Sequence, residues 1–186
     1  MVGKTLSRWL DHLVAVGPLR RIFQNPNRIL RQYVRPGLTV LDVGCGVGYF
    51  SLEMARMVGS AGRVICVDLD AGAIQSLAAK AATRGLSERM DIRVCDERGL
   101  GISDFAEKVD FALAFYVVHH AADADRLMAD IHAALKPSGR LLVVEPGHHS
   151  SAQERELTKS VAGRVGFDPV PGPRLRRDWV ILFAKM

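Results

Sequence analysis

Apolar residues along the chain fall into short unbroken runs, separated by segments where they recur every three or four positions. The runs at 38–43, 63–68, 91–95, 109–115 and 140–145 are dense in Val, Ile, Leu and Phe. Each predicts a strand buried on both faces. Between them, 49–59, 71–85 and 122–139 carry apolar residues at helical spacing and close with Gly, or with Pro followed by Gly. These predict helices. Strict alternation of strand and helix implies right-handed crossovers and a parallel sheet clothed on both sides. A further helix over about 150–165 leads into a proline-rich irregular piece, and the apolar run 179–186 predicts a final strand.

The N-terminal segment lies outside this alternation. Leu6, Trp9, Leu10 and Leu13 form an apolar stripe opposite Lys4, Arg8 and Asp11, and a second helix is expected from Pro26 to about Val34. Residues 1–36 are therefore read as a helical extension of a single domain spanning 1–186, packing on or over the functional edge. A lid, a membrane-surface contact and a homodimer face all stay open for it.

Length and composition bound the rest. The chain has 186 residues and is 48% hydrophobic, enough for the core of one domain. No apolar run is long enough to span a bilayer or form a signal sequence. Cys45, Cys66 and Cys95 form no CxxC pair and read as packing thiols of a cytoplasmic protein. The net charge of +5 is uneven, because residues 1–37 hold seven Lys or Arg against Asp11 alone. The C-terminal stretch adds Arg174, Arg176, Arg177 and Lys185 against Asp178. This suits an anionic partner or plain solvation, and without interleaved aromatics it argues against nucleic acid.

The stretch VLDVGCGVGYFS, 40–51, joins the first strand to the first helix of the alternation. Ligands of open parallel sheets bind beyond the carboxyl ends of the strands where strand order reverses, beside the first strand. A tight turn there, and a ligand lying against the main chain, both call for positions without Cβ, which Gly44, Gly46 and Gly48 supply. The dinucleotide fingerprint would place its third glycine where Tyr49 stands, and Asp42 is a poor neighbour for a pyrophosphate. A carboxylate instead suits a ligand with positive charge or hydroxyl and ammonium donors. Asp68 follows Gly48 by twenty positions and ends the second strand, where a ribose over the turn finds its carboxylate. Asp70 is the better cap for the helix that follows.

These stretches resemble the class I S-adenosylmethionine-dependent methyltransferases, in particular their small-molecule-type domains. VLDVGCGVGYFS, GRVICVDLD, RVCDE and VDFALAFYVVHHAAD are similar to the family's first four motifs, and LKPSGRLLVVEP to its fifth-strand signature. The resemblance covers about residues 28–186. It implies a Rossmann-like, doubly wound α/β fold: seven strands, mostly parallel, an antiparallel last strand, helices on both faces. It also implies S-adenosyl-L-methionine as cofactor and in-line methyl transfer to a small-molecule or lipid-like acceptor. Asp42, Gly44, Gly46 and Gly48 would hold the methionine end, Asp68 the ribose, and Leu69 the adenine face. Asp96 would accept from the adenine amino group, and the backbone around Phe115 would line the methionine. Cys95 stands where the third motif often has glycine, and Ser138 interrupts the usual Pro-Gly-Gly.

Methyl transfer asks for alignment and exclusion of water, and for a base only where a proton must leave. His119 and His120 follow the fourth strand, and His148 and His149 the fifth, at the ligand-bearing edge. One of His119, His120 or His148 as general base is one reading; histidines that orient loops or touch substrate are another. Neither pair has the i, i+4 spacing of a preformed metal-ligand pair, so no metal is expected. No [DN]PP[YF] segment follows the fourth strand, which again argues against nucleic acid. An NAD-dependent oxidoreductase and a non-catalytic partner subunit of the same fold remain as alternatives.

Overall fold

The computed structural model describes residues 24–147, 151–176 and 178–186. Its strands are β1 (Thr39–Val43), β2 (Arg63–Asp68), β3 (Met90–Val94), β4 (Val109–Phe115), β5 (Leu135–Pro146), β6 (Phe167–Val170) and β7 (Asp178–Lys185). They form one sheet in the order β3-β2-β1-β4-β5-β7-β6. β1 pairs in parallel with both β2 and β4, β3 continues beyond β2, and β5 continues beyond β4. β7 runs antiparallel to β5 and to β6. Strand order thus reverses at β1, and a crevice opens beyond Val43 as expected for a doubly wound sheet.

The helices are α1 (Pro26–Leu30), α2 (Ser51–Met57), α3 (Ala71–Thr83), α4 (Ala124–Ala134) and α5 (Ala152–Arg164). The period of two along each strand sorts the core into two layers. Val40, Cys66, Leu113 and Leu142 meet Leu30 of α1, Met54 of α2 and Leu77 of α3 on one face. Leu41, Ile65, Ala112 and Leu141 meet Met128 and Ile131 of α4 and Val161 of α5 on the other. Caps begin the helices where the sequence supplies them. Asp70 accepts from the amides of Gly72 and Ala73, and Ser151 and Glu154 form a reciprocal capping box. Such caps contribute about 1 kcal/mol each.

The structure departs from the sequence expectation in burial, in element boundaries and in β6, which forms within the stretch expected to be irregular. β3 is only partly buried because it is the sheet edge. The fifth strand begins at Leu135, not at 140, and α4 ends at Ala134. Pro137 has no amide to donate and pushes Lys136 toward extended backbone, Ser138 takes φ 63°, and pairing resumes at Phe111 with Arg140 after a bulge. α1 stops at Leu30 rather than near Val34. The amides of Tyr33 and Val34 both return to the Leu30 carbonyl, and Tyr33 stacks on Phe111 with ring centroids 5.1 Å apart. The apolar stripe of Leu6, Trp9, Leu10 and Leu13 lies outside the described residues.

Candidate functional site

The glycine turn leaves β1 at the point of strand reversal and is tied to the tip of β2. The amides of Gly44 and Cys45 both donate to the Val67 carbonyl, at 2.8 and 3.1 Å. Gly46 N donates to Asp68 Oδ2 at 2.7 Å. All three glycines have left-handed φ, 66°, 52° and 88° for Gly44, Gly46 and Gly48, a region that strains residues with a Cβ.

Their surroundings separate two requirements that the sequence left merged. A Cβ on Gly44 would come within 2.5 Å of Val117 Cγ2, and one on Gly48 within 2.2 Å of Leu77 Cδ1. Those two let neighbouring side chains pack. A Cβ on Gly46 would meet nothing within 4 Å, so the side of Gly46 where a side chain would stand faces open space.

Carboxylates frame the turn from below and from the side. Asp42 on β1 is 2% exposed and accepts from the hydroxyl of Ser51, the first residue of α2. Placed under the turn, it joins strand, turn and helix; a buried hydrogen bond to a charged group contributes about 1.5–3 kcal/mol. Asp68 is only part-buried. Its other oxygen accepts from Asp70 N at 2.9 Å, while capping of α3 falls to Asp70. A carboxylate offers about four acceptor sites, so Asp68 keeps capacity for two further donors.

Leu69, next along the chain, is 60% exposed, and Val94 at the end of β3 is 53% exposed. Asp96 lies beyond Val94. Its carboxylate accepts from Arg98 N, Nε and Nη2, and the Arg98 hydrogen bond holds it below the usual carboxylate range. Val94, Asp96 and Arg98 line a cavity of about 470 Å³. Two thiols nearby are held above their usual range. Cys45 is pushed up by its hydrogen bond to Cys66 and then by burial, and Cys95 by burial.

The other wall is built after β4. Phe115 is buried against Phe50 and Tyr116, with centroids 4.5 and 4.6 Å away. Tyr116 takes φ 64°, a strained conformation for a bulky residue. Its amide donates to Val144 O at 2.8 Å, its hydroxyl donates to Asp178 Oδ1 at 2.5 Å, and Gln24 Nε2 donates to that hydroxyl at 2.5 Å. Tyr49, just past the glycine turn, donates its hydroxyl to Gln24 O at 3.0 Å. One hydrogen-bonded chain therefore runs from the glycine turn over the end of β4 to the start of β7.

Residues Val118–His120 form a short 3-10 turn held by Glu145, which the Phe115–Val144 pairing sets beside it at the end of β5. Glu145 is 3% exposed. One of its oxygens accepts from Val118 N at 2.9 Å; the other pairs with Nδ1 of His119. Because the carboxylate accepts, His119 donates from Nδ1, which leaves Nε2 as the ring nitrogen not engaged by Glu145. The His119 side chain is 27% exposed, and His120 lies against it with ring centroids 3.8 Å apart. His148 lies outside the described residues.

Among the described residues no group of three or more His, Cys, Asp or Glu is arranged to hold a metal ion. No helix among them is long and apolar enough to cross a membrane. Gln24 and Asp178, which reach Tyr116 across 92 and 62 positions, carry no local sequence signal. Nor does any local pattern pair Glu145 with His119, 26 positions away.

A family model described as a methyltransferase domain matches residues 35–171. The ubiquinone/menaquinone biosynthesis C-methyltransferase UbiE of Marinomonas sp. is 28% identical over 155 residues, 83% of this chain and 59% of that protein. The protein of the same name from Cellvibrio japonicus is 33% identical over 112 residues, 60% of this chain and 44% of that protein. The chain thus spans about half the length of these curated relatives. Among solved structures, a SAM-dependent methyltransferase from Aquifex aeolicus superposes with a TM-score of 0.80 at 18% identity, covering 91% of this chain and 94% of that one.

Proposed function

Because the chain belongs to the class I S-adenosylmethionine-dependent methyltransferases, we propose that it methylates a small-molecule or lipid-like acceptor held over the ends of β4 and β5. The observation that carries this reading is the open side of Gly46, whose amide donates directly to Asp68. That cradle fits a phosphate-free nucleoside. Bound S-adenosylmethionine supplies an electrophilic methyl on a sulfonium, so the protein need only align, shield and deprotonate.

Each residue then has a task. Asp68 offers its two remaining acceptor sites to ribose hydroxyls, and the exposed face of Leu69 takes the adenine. Asp42, buried under the turn, places negative charge toward the cationic end of the ligand. Asp96 reaches an adenine amino group by sharing the oxygens that Arg98 now occupies. The backbone around Phe115 and the strained Tyr116 lines the methionine side.

His119 is the candidate base. Glu145 fixes its tautomer, and Nε2 takes the proton of the acceptor as that atom forms its bond to the methyl. Carbon methylation, the reaction in the names of the relatives, needs such a proton removal. A small-molecule acceptor suits both the relatives and the sheet edge.

Calorimetry with S-adenosylhomocysteine and with NADH tests the cofactor. Saturable heat is expected from the first and none from the second; the reverse overturns the reading. Radiolabelled donor offered with quinones, amines, thiols and small carboxylates then identifies the acceptor.

A further inference from the structure

A second cavity, of about 670 Å³, lies between α1 and the segment that leads into β7. Arg28, Arg31, Arg174 and Arg176 line it, together with Asn25 and Gln32. Arg28 and Arg31 are three apart on one helical turn and share a face, while Arg174 and Arg176 both reach the cavity from the segment before β7.

Among the described residues none of these four guanidinium groups has a carboxylate partner; Arg35, Arg63, Arg84, Arg89 and Arg140 have none either, but the four at the cavity are gathered around one space. Residues 1–23 contain a single carboxylate residue, Asp11, against four Lys or Arg, so they cannot neutralise the cluster. Four like charges around one space repel one another, and an anion relieves that repulsion. Planar guanidinium forks match the oxygens of phosphate and carboxylate.

Both lips of the cavity are joined through the chain to the functional edge. Asn25 follows Gln24, and the other lip ends just before Asp178; both Gln24 and Asp178 hydrogen-bond the Tyr116 hydroxyl at the end of β4. Resting on the methyltransferase reading above, we propose that the methyl acceptor is an anion. The cavity receives its phosphate or carboxylate group between the two arginine pairs while its nucleophilic atom lies near His119.

The test is calorimetric titration of inorganic pyrophosphate into the full chain, wild type against Arg28→Ala/Arg174→Ala, with Arg84→Ala as a surface control. Saturable binding that weakens at least about tenfold in the double variant and holds in the control is expected. No saturable binding to wild type, or equal binding to all three, overturns the proposal. S-adenosylhomocysteine titrated into the same samples reports the cofactor site separately. Its loss in wild type sinks the methyltransferase reading, and its retention beside absent pyrophosphate binding sinks only the anion site. Circular dichroism melting shows that the variants fold.

Phosphatidylcholine vesicles with and without phosphatidylglycerol distinguish the sources of the anion. Cosedimentation that requires phosphatidylglycerol and is lost in the double variant supports the site with a lipid headgroup as its ligand. Pyrophosphate binding without cosedimentation supports it with a soluble acceptor. In turnover, the double variant raises KM for anionic acceptors with kcat unchanged; an unchanged KM for them counts against the proposal.

Discussion

Alanine at Gly46 and at Gly48 should damage the protein in different ways, although the two positions are two residues apart in one turn. Both have left-handed φ, 52° and 88°, and an L residue there costs about 1–2 kcal/mol of backbone strain. At Gly48 the added methyl also drives into Leu77 Cδ1 at 2.2 Å and Leu52 Cγ at 3.2 Å. Overpacking of that kind adds about 1–3 kcal/mol. For a chain of this size each kcal/mol moves the melting temperature by about 2–4 °C. Gly46→Ala should therefore lose about 2–8 °C, and Gly48→Ala about 4–20 °C. Cofactor binding should show the opposite order. The Gly46 methyl projects into open space, where a ligand would lie, so affinity for S-adenosylhomocysteine should fall at least about tenfold, or about 1.4 kcal/mol. Gly48→Ala, assayed well below its melting point, should bind within about threefold of wild type. Differential scanning fluorimetry and calorimetry on the same preparations give both readings. Undiminished binding by Gly46→Ala would refute the reasoning, because no ligand could then rest on that main chain.

The other predictions concern single side chains. Asp68→Ala should weaken S-adenosylhomocysteine by about 10- to 100-fold, the value of hydrogen bonds to a charged acceptor. Asp96→Ala should cost less than Asp68→Ala in the same titration, because Arg98 already occupies both Asp96 oxygens; a larger loss at Asp96 would reverse the assignment. Glu145→Gln keeps an acceptor for Val118 N but offers an amide donor to His119 Nδ1, which moves the ring proton to Nε2. It should lower kcat by about 10²–10⁴-fold with KM little changed, and wild-type turnover would exclude His119 as base. Burial, and then Lys185, hold the His132 imidazolium below its ordinary value of 6.5, so below that pH the unfolded chain binds a proton that the folded chain refuses. Stability should fall as pH drops through and below 6.5, and His132→Phe should flatten that slope in melts at successive pH values. Equal slopes would count against it.

The alternation of apolar runs and helical patches specified the order of strands and helices except for β6 (Phe167–Val170), which lies where an irregular piece was expected and forms by pairing with β7. Local rules act at that scale: period two or 3.6, a cap such as Asp70, a stop such as Pro137. The glycine turn and Asp68 were legible for the same reason, since strand reversal beside β1 follows from chain order once the crossovers share one hand. Boundaries drifted where contacts from afar took over, as at α1, cut short where Tyr33 stacks on Phe111.

Tertiary structure alone supplied the partners of individual members of each candidate set. Sequence offered His119, His120 and His148 on equal terms; the structure adds that the buried Glu145, 26 positions away, pairs with His119. Three glycines looked alike until Val117 and Leu77 claimed the space beside two of them. The arginines of the N-terminal and C-terminal regions were visible only as charge until the fold closed them around one cavity. In each case the deciding quantity is a distance between residues far apart in the chain. Such distances are fixed by how the layers pack rather than by any local preference of the residues themselves.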